Sequence, residues 1–169
     1  MNGELVGCWT LVSNGQHEFR YADGWLESSL ARPISLSMPL QPPDFVYRGE
    51  RVEAFFDNLL PDSSEIRRRI RSRFATRSNS AFDLLTEIGR DCVGAIQLLA
   101  PDTEPQDLRR IDGTPLSEAQ VAQVLRATLS PAPVGQRHRD GFRISIAGAQ
   151  EKTALLYHDE RWHEPHGPT

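Results

Sequence analysis

Phe142 to Leu156 is the stretch whose residue types could do chemistry. It reads Phe-Arg-Ile-Ser-Ile-Ala-Gly-Ala-Gln-Glu-Lys-Thr-Ala-Leu-Leu: a strand, a turn of small residues, then a second strand. Ala147, Gly148 and Ala149 are small enough for a ligand to approach the backbone closely, and their N–H groups could cradle an anion. Lys152 is the only lysine in the chain; the other basic side chains are arginines. On an alternating strand Ile144 and Ile146 face one side, Arg143 and Ser145 the other. The Ser145 hydroxyl then stands beside the turn, placed to receive a phosphate. The same residues also describe a hairpin with no ligand and a small polar residue on its less buried face. With one glycine the turn matches neither GxxxxGK[ST] nor GxGxxG. Spacing alone leaves both readings open.

Other constellations are weaker. Arg67, Arg68, Arg69, Arg71 and Arg73 crowd one helix. They could form a phosphate-binding stripe. Their spacing does not make a single face, however, and no aromatics interleave with them as in single-strand platforms. A solvated helix side pairing with acids such as Asp57, Asp62 and Glu65 is preferred. His138, His158, His163 and His166 gather in the last quarter, but no third ligand of fixed geometry accompanies His163 and His166. Cys8 and Cys92 have no CxxC partner and read as small buried hydrophobes. No G-x-S-x-G elbow is present. Asp57-Asn58 lie at a helix end before Leu-Leu-Pro, where capping explains them.

Composition narrows the class. A chain of 169 residues with 38% hydrophobic content and mixed charge is expected to be globular, with room for one domain or two small subdomains. A net charge of −4 gives no general reason to expect direct nucleic-acid binding. No apolar run reaches the roughly 18 residues of a membrane span, and the start lacks the basic and apolar regions of a signal peptide. A cytoplasmic location is expected.

The elements that must position the turn follow from periodicity. Residues 3–12 and His17–Tyr21 alternate around Asn14-Gly15, an expected hairpin. A short helical segment follows at Trp25-Leu26, and Ile34–Met38 alternates again. Val52, Phe55, Phe56, Leu59 and Leu60 fit one helix face, stopped by Pro61. Ser63 is the expected N-cap of the arginine helix, with Ile66, Ile70 and Phe74 on one side. Ser80 opens a third helix through Leu84, Leu85 and Ile88, with Gly89 as its C′ residue. Val93–Leu99 reads as a strand. Residues 100–116, with three prolines and several acids, read as a surface connection. Ser117 caps a helix carrying Val121, Val124, Leu125 and Thr128, and Trp162 marks a late strand. The expected class is α+β, an antiparallel sheet with packed helices.

Phe55-Phe56-Asp57-Asn58-Leu59-Leu60-Pro61-Asp62, Phe82-Asp83-Leu84-Leu85, Glu87-Ile88-Gly89-Arg90-Asp91, Val93-Gly94-Ala95 and Phe142 through Leu155 closely resemble the HipA family. These are serine/threonine kinase toxins of HipA–HipB toxin–antitoxin modules, associated with persistence. The resemblance runs in order over nearly the whole chain. It implies an α/β N-terminal lobe, a larger helical C-terminal lobe and ATP between them. It implies subdomain 1 over residues 1–99, a connecting segment over 100–140 with one helix, and the start of the kinase domain over 141–169.

The resemblance further implies that Ala147, Gly148, Ala149, Gln150, Glu151 and Lys152 form the ATP-binding glycine-rich loop. Ser145 matches the serine on which such kinases phosphorylate themselves, a modification that ejects the loop. ATP and Mg²⁺ serve the complete kinase, and neither is expected to bind tightly to this chain alone. Expected partners are a HipB-like DNA-binding antitoxin, a separately encoded C-terminal kinase lobe, and glutamyl-tRNA synthetase as the family's substrate. The family's catalytic aspartate and metal-binding residues would lie beyond Thr169, and its opening strand before Met1, so the chain reads as an N-terminal lobe inactive by itself. The alternative is a small subunit that binds and restrains a separate kinase. Such subunits should end before the glycine-rich loop, and this chain continues through it.

Overall fold

Local turn chemistry sets the first hairpin. Val12 N–H donates to Gln16 O at 3.0 Å and Gly15 N–H to Val12 O at 2.8 Å. The three-residue loop this closes needs a left-handed residue, and Gly15 supplies it at φ +82°. Asn14 Oδ1 accepts from Gln16 N–H at 2.9 Å, which fixes the turn further. This is a computed structural model, and it describes residues 1, 3–91, 95–101, 103, 111–129 and 153–166. Two units divide the chain, Met1–Leu59 and Leu60–Thr169.

In the first unit β1 (Gly7–Leu11), β2 (His17–Tyr21) and β3 (Tyr47–Arg48) form an antiparallel sheet in the order β1-β2-β3. Alternation sorts its two faces. Cys8, Thr10 and Arg20 are exposed, whereas Phe19 and Tyr21 are buried on the other side with Trp25, Val52 and Phe56. Trp25 lies on the short helix α1 (Asp23–Glu27), Val52 and Phe56 on α2 (Glu50–Asp57). Phe56 stacks on Trp9 with ring centroids 3.9 Å apart and planes 8° from parallel.

Aromatic polar tips hold the long connection between α1 and β3. Tyr21 Oη donates to Met38 O at 2.6 Å and accepts from Ile34 N–H at 3.0 Å. Burial pushes the Tyr21 phenol above its ordinary pKa, which keeps it a donor. Trp25 Nε1 donates to Arg32 O at 3.1 Å, and Tyr47 Oη bonds Pro39 O. The alternation over Ile34–Met38 therefore makes no strand. A turn with one bridge, Ser35 to Met38, forms between Pro33 and Pro39, with Tyr21 bonding Ile34 N–H and Met38 O.

The second unit begins with two capped helices. Ser63 Oγ accepts from Ile66 N–H at the start of α3 (Ser64–Phe74), and Ser80 Oγ from Asp83 N–H at the start of α4 (Ala81–Ile88). Each such cap contributes about 1 kcal/mol. The helices pack on each other, and their buried residues are Ile70 with Ala81, Leu84, Leu85 and Ile88. The last four have the i, i+3, i+4, i+7 spacing of one helix face.

Gly89 is needed for a different reason from the one its position suggests. Its φ is −67° and the chain continues into a 3-10 turn, Gly89–Asp91. A Cβ there would lie 2.7 Å from Leu98 Cβ. Leu98 N–H donates to Gly89 O at 2.8 Å, so residues 95–99 return along the end of α4 without forming the expected strand. Residues 93 and 94 lie outside the described part.

Further on, β4 (Gly113–Leu116), β5 (Leu156–His158) and β6 (Arg161–Pro165) make a second antiparallel sheet, ordered β4-β6-β5. The strand β4 falls inside the expected connection 100–116. Pro115 is tolerated there because β4 is an edge strand among the described residues. Ser117 caps α5 (Glu118–Leu129) through Gln120 N–H at 3.3 Å, and α5 packs against β4. Trp162 lies on β6, as the sequence indicates. The architecture is α+β, with antiparallel sheets and five α-helices among the described residues.

Candidate functional site

The candidate anion-binding turn lies outside the described residues: Ser145, Ala147, Gly148, Ala149, Gln150, Glu151 and Lys152 are all in that segment. What is described is the hairpin that follows it. Thr153, Ala154 and Leu155 are half-buried and irregular, then β5 pairs with β6 in the register Leu156–His163, Tyr157–Trp162 and His158–Arg161. Asp159 and Glu160 close this hairpin with φ of +49° and +60°. Two successive left-handed residues define a tight two-residue turn, whose twist matches that of the strands. The cross-strand pair Tyr157–Trp162 meets edge to face at 5.0 Å.

The histidines are brought near one another without converging on a common point. His158 and His163 have ring centroids 6.3 Å apart. His163 Nδ1 lies 3.1 Å from Arg161 O, His166 Nε2 lies 2.8 Å from Thr114 Oγ1, and His158 Nε2 lies 3.5 Å from Asp159 Oδ2. Each imidazole is thus engaged locally. Among the described residues no group of three His, Cys, Asp or Glu side chains could hold a metal ion. His138 lies outside them. Asp57 is the last residue of α2, and Asn58 is its C-cap, donating its N–H to Ala54 O and Phe56 O.

One polar residue that the sequence reading passed over is His17. It is buried, accepts from Trp9 Nε1 at Nδ1 over 3.2 Å, and presents Nε2 to Glu53 Oε1 at 3.9 Å. A donor at Nδ1 assigns the ring proton to Nε2, facing the carboxylate. The Trp9–His17–Glu53 chain ties the hairpin to α2, and His17 shares the buried face of β2 with Phe19 and Tyr21.

The arginines of α3 divide by function. Arg69 pairs with Glu65 at 2.7 Å, one helical turn away, and Arg67 Nε donates to Pro61 O at 2.7 Å. Past the helix, Arg77 pairs with Asp83 at 3.3 Å. Burial lowers the pKa of Arg73 from its ordinary value. Arg68 and Arg71 are exposed and, with Ser72, Ala75 and Thr76, line a shallow depression at the end of the helix.

Comparison with known proteins decides the family. Residues 1–99 match the family described as HipA N-terminal domain. The chain belongs to that family. A relative named "Putative kinase Y4mE", from Sinorhizobium fredii, is 35% identical over 162 residues, covering 94% of this chain and 37% of the relative. A chain of the Shewanella oneidensis MR-1 toxin–antitoxin complex of HipA, HipB and operator DNA matches with a TM-score of 0.67. That match covers 99% of this chain and 37% of the solved one at 20% identity, so it speaks for the HipA fold alone. The chain therefore spans a little over a third of both relatives. On this HipA N-terminal domain the family-like motif Phe55–Asp62 forms the last turn of α2 and its exit, and Phe82–Leu85 lies within α4. No described helix is long and apolar enough to cross a membrane.

Proposed function

We propose that this chain serves as the N-terminal lobe of a HipA-like serine/threonine protein kinase toxin. Its part is to supply the glycine-rich loop, Ala147 to Lys152, and the regulatory serine, Ser145. The kinship with Y4mE carries this reading. The match covers 94% of the chain, and the turn lies far enough from both ends that the matched region includes it. A restraining subunit that stops short of the loop has no such match to offer.

The chemistry assigned to each residue follows from its type. Backbone N–H groups at Ala147, Gly148 and Ala149 would hold phosphate oxygens, and Lys152 would add a compact point charge. ATP bound with Mg²⁺ supplies the transferable phosphoryl group. This chain's share is to hold the phosphates and to keep Ser145 at the foot of the loop. The β5–β6 hairpin, closed at Asp159-Glu160, follows this segment in the chain. A HipB-like DNA-binding antitoxin is the proposed partner, by kinship with the HipA that is solved with HipB and operator DNA. A separate C-terminal kinase lobe and a glutamyl-tRNA synthetase substrate follow from the same family reading, as does a cytoplasmic location.

Titration with ATP and Mg²⁺, followed by amide NMR, tests the assignment of the loop. One loop without an adenine pocket should bind no more tightly than about 1 mM, or roughly −4 kcal/mol. The amides of Ala147 to Lys152 should shift most. Micromolar affinity, or shifts confined to other residues, would contradict the assignment.

A further inference from the structure

We infer that the exposed face of α3 carrying Arg68 and Arg71 is a docking surface for the phosphate backbone of a nucleic-acid duplex. The charge of this chain is strongly segregated. Residues 64–77 hold six arginines and one glutamate, while the remainder holds 13 Lys and Arg against 22 Asp and Glu. A chain of net charge −4 thus carries a local block of +5, which favours the approach of a polyanion to this segment.

The structure sorts that block. Arg69 is held by Glu65 and Arg77 by Asp83. Arg68 and Arg71 are exposed; Arg68 Nε donates to Ser64 O at 3.4 Å, and neither forms one of the ion pairs seen among the described residues. Arg68, Arg71, Ser72 and Ala75 have the i, i+3, i+4, i+7 spacing of one face, and they line one depression together with Thr76. The crowding that spoke against a stripe in the sequence is thereby resolved, because Arg67 and Arg73 are not exposed.

Chemistry selects the partner. Guanidinium groups beside hydroxyls suit phosphate oxygens. A protein interface needs apolar or aromatic anchors at its centre, and the large exposed hydrophobic residues of the described chain include none from α3. The absence of aromatics on this face also disfavours stacking of single-stranded bases. The contact is one of backbone charge, so it positions a duplex without reading its sequence.

Fluorescence anisotropy of the full chain with a labelled 20-base-pair DNA duplex tests this. Binding should appear in 50 mM salt and weaken about tenfold or more by 200 mM, as two or three neutralised phosphates require. Arg68→Gln with Arg71→Gln should lower the slope of log affinity against log salt by about two, and the double Glu variant should abolish binding. Both positions are exposed, so the circular dichroism of the variants should match that of the parent. Arg48→Gln with Arg161→Gln should leave binding unchanged. No binding in 50 mM salt, equal binding by the parent and the Arg68/Arg71 variants, or equally tight binding of hexaglutamate would overturn the inference.

Discussion

Incubated alone with labelled ATP, Mg²⁺ and a glutamyl-tRNA synthetase, the chain should transfer no phosphate. Added to the portion of Y4mE beyond the matched region, it should restore transfer by several orders of magnitude. Phosphoryl transfer depends on metal ions that neutralise the transferring group and on a residue that positions the nucleophile. Removing a single positioned donor in related chemistry costs about 10²–10³ in rate. On the proposed reading this lobe contributes only the loop, so several such parts would have to come from elsewhere. The chain spans 37% of Y4mE, and the proposed reading assigns the remaining catalytic parts to the rest of such a kinase. Turnover by the purified chain alone would contradict the assignment, as would two halves that neither associate nor act.

Phe56→Ala should cost about 3–5 kcal/mol, which is much of the roughly 5–15 kcal/mol by which ordinary domains are stable. Phe56 is 1% exposed and stacks flat on Trp9 at 3.9 Å. It also meets Phe19 at 6.0 Å and Phe55 at 5.0 Å. Truncation leaves a cavity bounded by rings that are already held by their own strand and helix, so the site cannot collapse. The neighbouring Phe55 is only half-buried, and Phe55→Ala should cost less. Urea unfolding followed by tryptophan fluorescence reads the difference directly. A loss below about 1 kcal/mol for Phe56→Ala would mean that α2 is not fastened to the sheet through this ring.

The parts of the fold that were legible in the sequence are those governed by local chemistry. Asn14-Gly15 fixes the first hairpin, and Ser63, Ser80 and Ser117 each sit one residue before a helix and accept from its first turn. The parts that were not legible depend on distant partners. Gly113–Leu116 becomes a strand only because Arg161–Pro165 pairs with it from some fifty residues away, and Pro115 hides the signal. Residues 95–99 have strand-like composition, yet Leu98 spends its N–H on Gly89 O. The role of Gly89 was likewise invisible, because it depends on Leu98 and not on backbone conformation. Alternation puts His17 on the face of Phe19 and Tyr21, but only the fold puts Trp9 and Glu53 at its two nitrogens. For the candidate site, motif resemblance identified the family, while the roles of Ser145 and of Ala147 to Lys152 rest on that resemblance and on residue chemistry.

Phosphorylation of Ser145 is the most direct probe of those roles. A phosphate on Ser145 adds about −1.5 to −2 charges beside a turn that would otherwise hold the ATP phosphates. Like-charge repulsion should then keep the loop open. The measurement is mass spectrometry of this chain after incubation with an active HipA-family kinase, ATP and Mg²⁺. The account predicts one dominant phosphate on Ser145, lost in Ser145→Ala, and loss of the ATP-induced amide shifts in the modified chain. Phosphate spread over Ser78, Ser80 and other serines, unchanged by Ser145→Ala, would contradict it.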